Sequence, residues 1–206
     1  MKIEVNANSS IRIISDKIIC FDPFQIEKES HDADLIFITH DHFDHYSEED
    51  LTKIVKEDTV FVVPPCVAEK MNRNNVVTIR AEETADVCGY RVEAVRSYNV
   101  GKQFHTPAKG YLGYIVTIEG KRVYVAGDCD FNEDNRRVDC DIALIPIGGK
   151  YTMDYKEAAS MINTIRPKLV IPTHYGDVAG EKEDGKRFAQ LVDPKIEVRL
   201  LLHETI

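Results

Sequence analysis

Apolar residues recur along this chain in two rhythms, and the rhythm changes near its middle. Ile11 and Ile13, then Ile18, Ile19 and Phe21, flank the polar triplet Ser15-Asp16-Lys17, which predicts strands and a hairpin turn within residues 2–21. Pro23 breaks that pattern, and the polar segment up to Asp34 reads as a loop that exposes His31. Leu35-Ile36-Phe37-Ile38 is continuously apolar, as in a strand buried on both faces. Ser47 suits a helix N-cap and Glu48-Glu49-Asp50 suit a first turn; Leu51, Ile54 and Val55 then form one apolar stripe. Residues 59–63 are β-rich, Pro64-Pro65 can open a short helix to about residue 73, and 76–79 reads as a strand. Alternation over 85–98, around Cys88-Gly89-Tyr90, predicts a hairpin.

From residue 99 onward strands alternate with helices. Residues 99–111 carry Asn99, Gly101, His105, Pro107 and Gly110 and read as a loop. Strands are expected at 114–118 and 122–126, joined by Glu119-Gly120-Lys121, and at 141–147. Asp154 can cap a helix, Glu157 completes the spacing of a capping box, and Ala158, Ile162 and Ile165 share its face until Pro167. Leu169-Val170-Ile171 is a buried strand; a helix near 186–192 and a strand over 196–202 follow. No linker or repeat divides the chain, so residues 1–206 are read as one domain, an α/β or α+β sandwich in which helices cover sheets.

Composition narrows the function classes. The chain has 206 residues, 43% of them apolar, enough for a core without metal or disulfide staples. No apolar run reaches transmembrane length, and the N-terminal residues lack the apolar stretch of a signal peptide. The five cysteines are scattered and odd in number, as expected of reduced thiols in a cytoplasmic protein. A net charge of −9 with no basic stripe argues against nucleic acid as a partner.

The chemistry concentrates in His40-Asp41-His42-Phe43-Asp44-His45, directly after the strand at Leu35-Ile36-Phe37-Ile38. Imidazole and carboxylate together suit zinc, and also manganese or iron. Three strands distant in sequence each lead into residues of this type: His40 after one, Asp128 after Gly127, and His174 after Pro172-Thr173. Side chains just beyond the C-terminal ends of strands can meet in one cleft. His40 and His42, two apart, can point the same way from extended backbone.

These residues resemble the metallo-β-lactamase superfamily. Its HxHxDH motif is matched by His40, His42, Asp44 and His45, with Gly127-Asp128 and Pro172-Thr173-His174-Tyr175-Gly176 in the order and strand context of that family. Gly148-Gly149-Lys150-Tyr151-Thr152-Met153 is similar to a loop of its small metal-dependent hydrolases, related to the ascorbate-phosphate lactonase and N-acyl-phosphatidylethanolamine phospholipase D branches. The resemblance implies a four-layer αββα sandwich with two divalent ions, zinc first and manganese or iron as alternatives. It implies His40 and His42 on the first ion, Asp44, His45 and His174 on the second, and Asp128 between them. Ions about 3.5–4 Å apart hold a hydroxide and polarise the scissile bond. Asp44 would also orient that hydroxide and pass a proton to the leaving group.

One position departs from the family. The third histidine of the first ion is expected in the loop after the strand ending near Tyr98, where Asn99 stands. His105, further along, is an alternative ligand, and Asn99 an alternative substrate contact. His105→Ala is accordingly expected to be milder than His40→Ala, and single-ion occupancy stays open. Tyr151 is a candidate substrate contact or oxyanion donor, Asp22 a candidate brace for the histidine loop, Cys129 a packing residue, and His203 structural or exposed. The expected activity is hydrolysis of a small-molecule ester, lactone, amide or phosphodiester bond. A non-catalytic metal-binding protein is the alternative. A nuclease is disfavoured by the acidic surface, and a diiron redox protein by His42, where that branch carries a carboxylate.

Overall fold

Strand β4 (Ala33–Phe37) serves two layers at once. Leu35 and Phe37 enter a core shared with Tyr114 and Val116, while Ile36 and the following Ile38 pack with Leu51, Ile54 and Val67. All four residues from Leu35 to Ile38 are fully buried, and the alternation of period 2 sends neighbours to opposite faces. This explains why the run carries no polar position.

The computed structural model describes residues 1–202. The first sheet holds β1 (Lys2–Val5), β2 (Ile11–Ile14), β3 (Ile18–Phe21), β4, β5 (Val55–Val63) and β6 (Val76–Thr78) in chain order. The second holds β7 (Thr84–Val87), β8 (Tyr90–Arg96), β9 (Leu112–Ile118), β10 (Lys121–Val125), β11 (Ile142–Pro146), β12 (Leu169–Thr173) and β13 (Glu197–Val198), also in chain order. Each sheet begins antiparallel and ends parallel: β3 to β6 run parallel in the first, β10 to β13 in the second. Parallel neighbours need covering layers for their crossovers. Helices α1 (Glu48–Ile54) and α2 (Pro65–Ala68) cover the first sheet. Helices α3 (Tyr155–Ile165) and α4 (Asp184–Leu191) pack on each other and add Ala158, Met161, Ile162 and Phe188 to the main core. The result is the expected helix–sheet–sheet–helix sandwich.

The sheets face each other across Phe21, Phe37 and Tyr114. The Phe21 and Phe37 rings stack at 4.7 Å, and Phe37 meets Tyr114 at 5.1 Å. The Tyr114 hydroxyl donates to the Ile38 carbonyl at 2.8 Å, so its one polar atom is satisfied inside the core. The bond ties the second sheet to the chain just before the histidine loop.

Several expectations shift at element ends. Ser47 caps α1, its hydroxyl accepting from the Asp50 amide, but the helix stops at Ile54 and Val55 opens β5 instead of extending the stripe. The helix after Pro64 is a single turn. Asp154 caps α3 through the amides of Lys156 and Glu157, yet Glu157 does not reach back; it accepts from the Phe131 amide instead. Ile165 is only half-buried. The final strand shrinks to β13, because only Leu169 and Val170 of β12 pair with it. His31 is exposed as expected; His203 lies outside the described residues.

Candidate active site

The parallel strands deliver the candidate residues at one edge of the sandwich. Asp22 follows β3, Thr39 and His40 follow β4, Asp128 follows β10, and His174 follows β12. Tight turns aim them. Asp22 and His174 adopt left-handed φ values of 44° and 53°. Between β10 and Asp128, Gly127 has φ 64°, and a Cβ there would lie 2.8 Å from the Leu112 carbonyl oxygen and 3.1 Å from the Thr39 side chain. Only glycine allows that close approach without strain.

Three imidazoles converge on one point. The Nε2 atoms of His40 and His105 each lie 3.1 Å from His42 Nδ1. His105 Nδ1 is 3.0 Å from the Tyr151 carbonyl, which can only accept, so Nδ1 carries the ring proton and Nε2 is bare. The Thr39 hydroxyl donates to Asp22 Oδ2 at 2.7 Å and is therefore an acceptor for His40 Nδ1 at 3.0 Å, leaving His40 Nε2 bare as well. His42 Nδ1 can donate to only one of the two. Three ring nitrogens with at most one proton among them form a donor set for a cation.

A second group lies beside the first. His174 Nε2 is 3.2 Å from Asp44 Oδ2 and 3.3 Å from Asp128 Oδ2. His45 Nε2 is 3.4 Å from Asp128 Oδ1 and 3.6 Å from Asp44 Oδ2. Asp128 Oδ2 is also 3.4 Å from His105 Nε2, so this carboxylate touches both groups. His45 Nε2, both His174 ring nitrogens and Asp128 Oδ1 are buried with no hydrogen-bond partner. Orphaned buried polar atoms are costly. Here they fall in three groups whose ligand atoms lie close enough together to hold a cation: His40, His42 and His105; His40, His45 and Asp128; and Asp44, His45 and His174. The residues present fit the metals that the sequence suggests.

The electrostatics agree. Burial pushes His40 well below its ordinary value, with His45 adding to the effect, and burial lowers His42 and His105 as well. Burial thus favours the neutral imidazole in all three, the form that can offer a lone pair. Burial opposes charge on His45 and His174 too, but Asp128 outweighs it; His45 is raised well above its ordinary value and His174 to about 9. Burial also opposes charge on Asp128, which His174 and His45 nevertheless hold well below the usual carboxylate range. The second group is thus strongly electronegative and retains positive charge, in the form of protons or of a cation.

Around these atoms lies a supporting shell. Asp22, fully buried, receives the Thr39 amide and hydroxyl and lies 2.7 Å from His45 Nδ1. It fixes the His45 tautomer so that Nε2 faces Asp128. Asn8 Nδ2 donates to Asp44 Oδ2 at 3.0 Å, and the Asn8 carbonyl accepts from the His174 amide at 2.9 Å. Asn8 escaped the sequence reading because its partners are far along the chain. Its only signal is the polar run Asn6-Ala7-Asn8-Ser9-Ser10 between two strands.

Asn99 and His105 change places relative to expectation. His105 joins the histidine group. Asn99 is buried and does not line the cavity; its Nδ2 donates to the Tyr151 carbonyl at 2.6 Å and to the Phe104 carbonyl at 3.2 Å. Asn99 therefore braces the loop that presents His105. Tyr151 does line the cavity, while its carbonyl orients His105. Cys129 is fully buried against Asn135, and burial pushes its thiol up to about 12, as befits a packing residue.

Comparison with known proteins agrees with this geometry. The family model of the beta-lactamase superfamily domain matches residues 5–174. A UPF0173 metal-dependent hydrolase from Thermococcus onnurineus is 30% identical, the match covering 98% of this chain and 96% of the relative. One from Geobacillus thermodenitrificans is 28% identical over 95% of each chain. Among solved structures, a protein of Parabacteroides distasonis assigned as a metal-dependent hydrolase aligns with a TM-score of 0.84 at 29% identity, covering 98% of this chain and 93% of that one. A metallo hydrolase of Ignicoccus hospitalis shares the fold at a TM-score of 0.77 and 22% identity, covering 97% of this chain and 94% of that one. With its two-sheet sandwich, its His/Asp cluster at the strand ends and relatives that match it from end to end, this chain belongs to the metallo-beta-lactamase superfamily of metal-dependent hydrolases.

Proposed function

We propose that the protein is a two-metal hydrolase of a small-molecule ester, lactone, amide or phosphodiester bond. The observation that carries this reading is Asp128, a buried carboxylate within 3.4 Å of both histidine groups, with an oxygen that has no hydrogen-bond partner. His40, His42 and His105 would hold one ion and Asp44, His45 and His174 the other, with Asp128 serving both. Nitrogen-rich and mixed donor sets of this kind suit zinc, with manganese or iron as alternatives. When bound, such ions supply Lewis acidity and bring the pKa of water toward neutrality.

The remaining work falls to the chain's own groups. Asp44 lines the cavity and takes a proton from the attacking water, then returns it to the leaving group. Asn8, donating to Asp44 Oδ2, holds that carboxylate in one orientation. The Tyr151 side chain, also in the cavity wall, contacts the substrate. A cavity of about 400 Å³ opens on the His/Asp cluster, which suits a small molecule and disfavours a closed metal-storage role. The acidic chain supports a small-molecule partner over nucleic acid, and five free thiols support a cytoplasmic setting. Among the described residues no helix is long and apolar enough to cross a membrane.

Asp128→Ala tests the reading. Elemental analysis is expected to find both ions reduced, and turnover of chromogenic esters and phosphodiesters to fall by more than about 100-fold, since losing a ligand exceeds losing its support. Full metal content with unchanged turnover would remove the two-metal assignment.

A further inference from the structure

Apolar side chains that a soluble fold normally hides are gathered at the mouth of this cavity. Among the described residues five large hydrophobic side chains are exposed: Phe43, Val100, Phe104, Val178 and Leu191. Three of them, Phe43, Phe104 and Val178, line the cavity. Phe43 is 69% exposed although it sits within the histidine motif, flanked by His42 and Asp44. Phe24 supports it edge-on at 5.9 Å, and Phe104 meets Tyr151 edge-on at 5.1 Å. These rings come from loops of both sheets, so the apolar rim is an assembled feature and not one stray residue. Exposed apolar clusters rimming a polar centre mark binding surfaces.

The charged groups of the same cavity are as informative. Among the described residues no lysine or arginine lines it, although Lys150 packs over the Tyr151 ring at 4.7 Å. Its charged side chains besides histidine are Asp41, Asp44 and Asp128, and Lys70 engages Asp41 from outside. Phosphate recognition draws on metal ions or on Arg or Lys donors placed at the substrate; among the described residues this wall offers no Arg or Lys, so a phosphate would rest on the ions alone. Any negative charge on a substrate away from the reacting bond would face carboxylates and phenyl rings.

We infer that the substrate is an uncharged carboxylic ester or lactone with an apolar acyl or alkyl portion of a few carbons, seated against Phe43, Phe104 and Val178, rather than a phosphodiester. The inference deepens the proposed hydrolase reading and rests on it. The reaction is hydrolysis: water adds to the acyl carbon, the bond from that carbon to the leaving oxygen breaks, and the proton lost by water ends on that oxygen. A carboxylic acid and an alcohol result, and a lactone gives both in one molecule. No redox partner is required.

Alkyl hydroxamates of two to eight carbons separate the two readings, because the head group chelates metal and the tail probes the rim. They would be titrated into the zinc-loaded protein, alongside turnover of p-nitrophenyl acetate, butyrate and octanoate and of bis-p-nitrophenyl phosphate. Affinity is expected to rise about threefold per added methylene over the first few carbons, somewhat less than full burial would give. Butyrate ester is expected to exceed the phosphodiester in kcat/KM. In Phe43→Ser, and independently in Phe104→Ser, the rise with chain length should flatten, whereas Leu191→Ser, outside the cavity, should keep it. Affinity independent of tail length, or a preference for the phosphodiester, overturns this inference while leaving the metal site standing. Failure of even the two-carbon hydroxamate to bind overturns the hydrolase reading and the inference with it.

Discussion

His105 and Asn99 exchange the roles that their distances along the chain suggest, and the reason is a matter of single atoms. Asn99 stands nearer the end of β8 in sequence, but its Nδ2 donates to two backbone carbonyls. Those bonds hold a turn in which His105 takes a left-handed φ of 54° and brings Nε2 to 3.1 Å from His42. His105→Ala is therefore expected to match His40→Ala in lost metal, not to be milder. Elemental analysis of the two variants side by side checks this, and near-normal metal in His105→Ala alone would return the residue to a structural role. His40, His42, Asp44 and His45 were legible in the sequence because metal chemistry admits few residue types and the motif spaces them tightly; Asp128 and His174, far along the chain, were legible as such residues beyond strand ends and through the family resemblance. Asn8 and Thr39 were not, since hydrogen-bond support can come from many residue types and leaves no spacing to read.

At the scale of elements, the site depends on how strand ends are held apart. Beyond β11, Gly148 passes so close to the end of β12 that a Cβ would lie 2.3 Å from the His174 carbonyl oxygen. Adding that methyl must push the two strand ends apart and carry His174 with them. Gly148→Ala should destabilise the fold by about 2 kcal/mol, in the range of overpacked sites, and should weaken metal binding. Urea unfolding and metal titration measure the two effects; wild-type values for both would mean that the β11 and β12 ends separate freely. Glycine in a loop is visible in sequence, but the backbone it must avoid is not. Helix α1 likewise follows its cap signal at Ser47, whereas its end at Ile54 is set by pairing of Val55 with Ala33, a long-range contact.

On the scale of the whole molecule, the first sheet is tied by carboxylates that cross strands. Asp34 on β4 accepts from the Ile18 amide at 2.7 Å and from Lys56 of β5 at 2.6 Å, and Asp32 forms a two-point pair with Arg12 of β2. Burial opposes charge on both, yet these donors hold both below the ordinary carboxylate value. A carboxyl with a depressed folded pKa adds stability above its unfolded value, about pH 4, and loses it as pH falls through the folded value. Asp34→Asn should therefore lower stability at pH 7 and converge with the unmodified protein once pH has fallen below the folded value of Asp34. Denaturant unfolding across that range measures it, and a constant difference at all pH values would assign the effect to packing instead of charge.

The strand-rich first half, the alternation of strands and helices in the second, and six of the seven residues that now face one another were readable along the chain, with His105 as the alternative ligand. These depend on periodicity and on donor chemistry, both local. The tertiary structure selected His105 from its two sequence readings, set Asn99 behind it, brought Asn8 to Asp44, and placed Asp22, already a candidate brace, 2.7 Å from His45 Nδ1. It alone gathered Phe43, Phe104 and Val178 at one rim. Each of those facts rests on contacts between segments distant in sequence, where many residues could serve and geometry selects among them.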